Sequence, residues 1–288
     1  MNTWMDDKPP YHVDKKLKRL WEKNSLEVMK KKNSDRVHIV DGREGSGKSY
    51  WTIQQACYIE PSLLESPEKL VSRICFSPEE FREIIRETKN GVIIFDEAFR
   101  GFSSRAAMSR INKILVQTLM EMRQNNNIVF IVLPSFFLLD IYPAMLRSDI
   151  LFNIYEDKKN NKRAFRGYNR KDKNSIYQIG LKRGWTYPFD SHFKGRFYNK
   201  FPGGETFLDA YIKKKADALQ RMFPQDFIQD DVVKIAVRLR NVEKKQWKEI
   251  GEIVGMTADA IARRVQRQTN MSIYMPPIFQ ENNNKASG

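Results

Sequence analysis

Gly42-Arg43-Glu44-Gly45-Ser46-Gly47-Lys48-Ser49 has the spacing of a phosphate-binding loop, glycine-punctuated and closed by a lysine and a hydroxyl. The glycines let consecutive backbone N–H groups turn inward onto an anion, and a helix starting near Lys48 adds the positive end of its dipole. In this chemistry Lys48 reaches the β- and γ-phosphates, the Ser49 hydroxyl holds Mg²⁺, and Tyr50 follows on the first helical turn. Further on, Asp96 and Glu97 close the apolar run Val92-Ile93-Ile94-Phe95. An acid at the end of a buried strand suits a second Mg²⁺ ligand, and a glutamate beside it suits orientation or deprotonation of an attacking water. Together these residues predict a site that binds ATP with Mg²⁺ and hydrolyses the γ-phosphate, with no other small-molecule substrate.

The elements that must position them follow from periodicity. The β-branched run at 37–40 predicts a strand leading into the loop, and residues 50–58 a helix leading out. Residues 72–76 read as a short strand. Ser77 then serves as an N-cap, Pro78 as first helical residue and Glu80 as the partner in a capping box, with Phe81, Ile84 and Ile85 as the buried stripe. Four consecutive apolar residues at 92–95 predict a strand covered on both faces. A helix over 104–122 buries Ile111, Leu115, Thr118, Leu119 and Met122, and Ile128–Leu133 is a further buried strand stopped by Pro134. Alternating strands and helices predict parallel crossovers with ligands at the strand carboxyl ends.

The 288 residues carry 50 Lys+Arg against 35 Asp+Glu, a net charge of +15, which favours a polyanionic partner such as DNA. Cys57 and Cys75 have neither metal-site nor disulfide spacing, and His12, His38 and His192 are scattered. No basic-then-apolar leader opens the sequence and no apolar run is long enough to span a membrane, so a cytoplasmic location without an intrinsic membrane span is expected.

Six segments are expected. Residues 1–33 form an N-terminal basic helix with Val13, Leu17, Leu20 and Trp21 on one face, either packed on the main domain or used for a nucleic-acid or subunit contact. Residues 34–157 form the nucleotide core. Residues 158–204 form a basic, aromatic-rich appendage: between 158 and 200 there are thirteen Lys/Arg and two acids, a net of +11. Its apolar pieces Ala164-Phe165 and Ile176-Tyr177-Gln178-Ile179 read as hairpin strands, and its aromatics either stack on bases or fill a core of their own. Pro202-Gly203-Gly204 reads as a linker, 205–228 as a helical linker, 229–270 as three short helices with Gly255-Met256-Thr257 as the last turn, and 271–288 as a flexible tail.

The phosphate loop, Asp96-Glu97, and the block from Arg123 through Ile128–Leu133 and Pro134-Ser135 to Leu146-Arg147-Ser148-Asp149-Ile150 resemble the additional-strand P-loop ATPases. Within that class the likeness is to FtsK/HerA-type DNA-pumping motors and their zonular-occludens-toxin-type phage relatives, over about residues 36–155. The resemblance implies an α/β, parallel-sheet (RecA-like) core and a homo-oligomeric ring in which Arg123, or less strongly Arg147, serves a neighbouring subunit's nucleotide. It also implies a γ-phosphate sensor after the strand at 128–133. The usual glutamine is replaced by Leu133-Pro134-Ser135, so Ser135 is the sensor or there is none. Residues 229–270 resemble a helix-turn-helix of the sigma-factor region-four type, which implies a small all-α C-terminal domain whose Arg263, Arg264 and Arg267 face DNA phosphates. Two functions are consistent with this: an ATP-driven DNA motor or remodelling ATPase of the translocase or packaging type, from a virus or mobile element, or a nucleotide-switched DNA-binding regulator or loader.

Overall fold

The computed structural model describes residues 11–22, 34–96, 105–122, 125–157, 162–222 and 245–272, together with the helical positions Val233, Ala236, Leu239 and Arg240. The chain divides into two compact units, Met1–Ala218 and Leu219–Gly288. In the first, the described strands are β1 (Arg36–Asp41), β2 (Ile74–Cys75), β3 (Val92–Phe95), β4 (Ile128–Leu133), β5 (Ile150–Asp157), β6 (Lys162–Tyr168) and β7 (Phe193–Arg196). They form one sheet in the order β2-β3-β4-β1-β5-β6-β7. The β2-to-β5 part is parallel, and β4 lies between β1 and β3. The long apolar runs take the middle of the sheet because both their faces are covered.

The helices of this unit are α1 (Lys15–Arg19), α2 (Lys48–Ile59), α3 (Pro67–Ser72), α4 (Pro78–Glu87), α5 (Arg105–Glu121), α6 (Arg170–Lys182) and α7 (Glu205–Met222). Strand alternation sorts the core into two layers. Val37, Ile39, Phe95, Val129, Ile131 and Leu151 face Phe81 and Ile85 of α4, Leu115 and Leu119 of α5, and Ile176 and Tyr177 of α6. On the other face His38, Phe130 and Phe152 surround Trp21, and Trp51 of α2 lies against Phe152 and Phe165. Trp21 is fully buried and its Nε1 donates to Gln55 Oε1 at 3.0 Å. Truncating a buried tryptophan costs about 3–5 kcal/mol, so residues 11–22 belong to the fold of the main domain.

Several local expectations are revised. Ile176–Ile179 lie in helix α6, because Asn169 caps it by accepting from Asp172 N at 2.9 Å and starts a helical period there. The basic segment is therefore strand, helix, strand: β6 and β7 continue the sheet in antiparallel fashion. Ser77 does cap α4, but Glu80 reaches back to Phe76 N at 3.1 Å, one residue further than a capping box requires. The strand expected at 72–76 shrinks to two residues because the α3 helix, capped by Ser66, runs through Ser72. Helix α7, expected to be a linker, packs on this unit through residue 218. Its Lys214 pairs with Glu80 at 2.7 Å and donates to the Val71 and Ile74 carbonyls.

The described part of the second unit is helical. Helix α8 (Trp247–Val254) ends at Gly255, which is left-handed at φ 70°, and α9 (Ala258–Ser272) begins at Thr257, whose Oγ1 accepts from Ala260 N at 3.3 Å. Ala236, Ile250 and Ile261 form its core with Trp247, Val254 and Val265 packed around them. Ile253 is 56% exposed, because Ile250 and Val254 occupy the inward face. Of the expected tail, residues 273–288 lie outside the described part. Among the described residues no helix is long and apolar enough to cross a membrane.

Candidate nucleotide site

Strand β1 delivers the chain to the carboxyl edge of the sheet, where two glycines make the loop possible. Gly42 has φ 146°, and a Cβ there would stand 2.1 Å from the Ile154 carbonyl oxygen. Gly47 has φ 94° and caps α2 in the left-handed conformation. Arg43, Glu44 and Gly45 are exposed on the outer rim, whereas Ser46 is buried with its Oγ lacking a hydrogen-bond partner among the described residues. Lys48 reaches back over the loop, Nζ donating to Gly42 O at 2.7 Å and Arg43 O at 2.9 Å.

Asp96 follows β3 and is fully buried, its backbone N–H held by the Cys75 carbonyl at 2.9 Å. The β1 and β3 strands are separated by β4, about 10 Å centre to centre. Helix α2, lying over the sheet, carries Ser49 across that gap, and Ser49 Oγ donates to Asp96 Oδ1 at 3.1 Å. The other carboxylate oxygen accepts from the Tyr211 hydroxyl of α7 at 2.6 Å. A hydroxyl and a carboxylate are hard oxygen donors, and among the described residues no three His, Cys, Asp or Glu gather into a cage. That donor set fits Mg²⁺, which takes one or two protein oxygens and completes its shell with water and phosphate.

Beneath the loop lies a second buried carboxylate. Asp41 accepts from Asn153 Nδ2 and the Phe136 backbone N–H, each at 3.0 Å, and from the Tyr187 hydroxyl. Burial pushes its carboxyl pKa up, while the hydrogen bond from Tyr187 and the nearby Lys48 charge pull the other way.

The other expected residues divide. Tyr50 stands on the first turn of α2 with its ring 5.3 Å from that of Phe201. Ser135 follows β4 half-buried, and among the described residues no hydrogen bond joins it to Lys48, Ser49 or Asp96. Arg147 is at the amino end of the sheet, held by Asp35 at 3.6 Å and by the Leu119 carbonyl, so it is far from this chain's own loop. Glu97 and Arg123 lie outside the described residues. On α9, Arg263 is exposed, and Arg264 is half-buried with Nη1 3.1 Å from Met256 Sδ; Arg267 is on the same helix. Sequence reasoning missed Tyr211 of α7, read as linker, Arg163 of β6 and Tyr187 of the loop after α6, both read as appendage, and Asn153 of β5, within the expected core but not singled out.

No protein-family model and no curated protein matches the sequence. Among solved structures, the chain is similar to the N-terminal domain of zonular occludens toxin from Neisseria meningitidis, at 15% identity and a TM-score of 0.35, over 57% of this chain and 94% of that one. It is also similar to the genome-packaging NTPase of Sulfolobus turreted icosahedral virus 2 in complex with AMP, at 14% identity and a TM-score of 0.31, over 49% and 95%. Likenesses this distant assign neither an activity nor a partner to this chain.

Proposed function

We propose that the chain is a Mg²⁺-dependent P-loop ATPase that acts on DNA as a motor or remodelling enzyme, working as a homo-oligomeric ring. The observation that carries the nucleotide reading is the 3.1 Å bond between Ser49 and Asp96, which joins the phosphate loop to the acid-bearing strand end across an intervening strand. ATP binding releases Lys48 from the Gly42 and Arg43 carbonyls to neutralise the β- and γ-phosphates, while the loop N–H groups cradle the polyphosphate. Ser49 and Asp96 would hold the metal. The ion, when bound, offsets charge on the phosphate oxygens. Glu97, immediately after Asp96, orients and deprotonates the attacking water. Arg123 serves the neighbouring subunit and Ser135 is the remaining sensor candidate.

DNA action is supported by the +15 charge, by the exposed lysines and arginines of the basic segment, and by the α8–Gly255–α9 geometry with Arg263 exposed. Steady-state phosphate release, measured without DNA and with single- or double-stranded DNA at two salt concentrations, tests the proposal. Turnover that requires Mg²⁺, vanishes in Lys48→Ala and rises with DNA is expected. Nucleotide binding without turnover would instead favour a nucleotide-switched regulator, and binding unaffected by Lys48→Ala would overturn the site. Charge reversal at Arg263 should weaken duplex binding and flatten its salt dependence.

A further inference from the structure

A cation from the basic segment stands at the phosphate loop. Arg163 is on β6, opposite Glu156 of β5 in the antiparallel pair. Its guanidinium lies against Gly47: a Cβ on that glycine would be 2.8 Å from Arg163 Nη1, 3.1 Å from its Cδ and 3.2 Å from the Phe197 ring. Nη1 donates to Asn199 Oδ1, which aims the side chain along the loop. The stretch carrying Asn199 is fastened to α2, since the buried Gln54 donates through Nε2 to the Tyr198 and Lys200 carbonyls at 2.7 Å each. Arginine, backbone strap and loop therefore form one assembly, all within the first unit.

Helical geometry says which phosphate this arginine would meet. Gly47 and Tyr50 are three residues apart and share a side of α2, whereas Ser49 is about 200° round from Gly47 and turned onto Asp96. Lys48 and Ser49 serve the β- and γ-phosphates and the metal. The Gly47/Tyr50 side is left for the α-phosphate, and the Arg163 guanidinium already lies against Gly47. A guanidinium offers planar paired donors suited to phosphate oxygens.

We propose that Arg163 binds the α-phosphate of the nucleotide held by its own subunit. This rests on reading the loop as a nucleotide site and assigns the basic segment a part in it. A group that contacts the α-phosphate grips substrate and transition state alike, so its loss raises KM and leaves kcat at saturation largely intact.

The test is calorimetric titration of the full-length protein with AMP, ADP and ATP, plus steady-state kinetics, for wild type, Lys48→Ala, Arg163→Ala and Arg163→Lys. Arg163→Ala should weaken ADP and ATP by a similar factor, about ten-fold or more, with AMP weakened at least as much; Arg163→Lys should recover part of the loss. Should Arg163→Ala fail to fold, Arg163→Gln removes the charge, keeps a donor for Asn199 and carries the same expectation. Unchanged ADP affinity in a folded variant, or a loss confined to ATP, overturns the assignment. If Lys48→Ala abolishes binding while Arg163→Ala does not alter it, only this inference falls. If wild type binds no nucleotide, both readings fall.

Discussion

The two ends of strand β1 place buried acids and arginines close together yet are built to opposite purposes. At the amino end Asp35 accepts from Asn127 N at 2.8 Å and pairs with Arg147 at 3.6 Å, while Arg36 pairs with Asp149 at 3.3 Å. Asp35, Arg36, Arg147 and Asp149, with Ser34, Leu146 and Arg170, line a cavity of about 290 Å³ in which two ion pairs sit beside Arg170, whose guanidinium donates to the Leu146 carbonyl. At the carboxyl end Lys48 is held by carbonyl oxygens and Arg163 by an amide oxygen, and the loop carries three glycines at positive φ. The amino end is built on two ion pairs, beside two asparagines, Asn90 and Asn126, at φ 55° and 53°. The carboxyl end concentrates cations around one opening, beside a loop in which Gly42 and Gly47 take conformations and close approaches that a side chain would block. An arginine-rich hollow is thus no guide to a ligand unless the backbone beside it is also shaped for one.

Substitutions at the two ends should separate these roles. The largest effect is expected for Glu97→Gln, with ATP still bound but turnover reduced ~100-fold or more in single-turnover assays, the range for loss of a general base; normal turnover would show that another group activates the water. Next is Lys48→Ala, expected to lose about a hundredfold in ATP affinity by titration with little change in melting temperature. Arg147→Ala should do the reverse. It leaves Asp35 buried without its ion pair, lowering stability by roughly 1–3 kcal/mol in denaturant melts while ATP affinity holds; weakened ATP binding would mean that the ends are coupled.

The smallest effect comes from the middle of the strand. His38 is buried among Trp21, Phe130 and Phe152, and burial lowers its pKa from 6.5 to about 4. Because the folded value is depressed, the unfolded chain takes up the proton first. Stability from this group is complete above pH 6.5 and is lost as pH falls toward 4, by at most ~1.4 kcal/mol per pH unit. His38→Phe should remove that slope from melts recorded between pH 6.5 and 4, and an unaltered slope would assign the acid sensitivity to carboxylates elsewhere.

How much of this was legible in sequence follows from how local each signal is. The loop, the β3 and β4 strands, the Ser77 cap and the α5 stripe each rest on neighbouring residues, and each is where periodicity and capping place it. The meeting of Ser49 with Asp96 was also legible, because a helix start after one buried strand and an acid after another converge at the same sheet edge. Tyr211 and Arg163 were not: one is 115 residues from its partner Asp96, and the other arrives on a strand whose neighbours are decided by sheet pairing. Ile176–Ile179 was misread because β-branched and aromatic residues suggest a strand, whereas the Asn169 cap and the buried Ile176 and Tyr177 determine a helix.

The margins of the sheet carry a further consequence. One is β2, two residues long; the other is β7, four residues long with Lys194 and Arg196 pointing to solvent. Short or positively charged borders are poor templates for strand addition. Copies of this chain are thereby discouraged from joining by extending one another's sheet into a fibre, and an assembly of subunits has to be cemented by side chains.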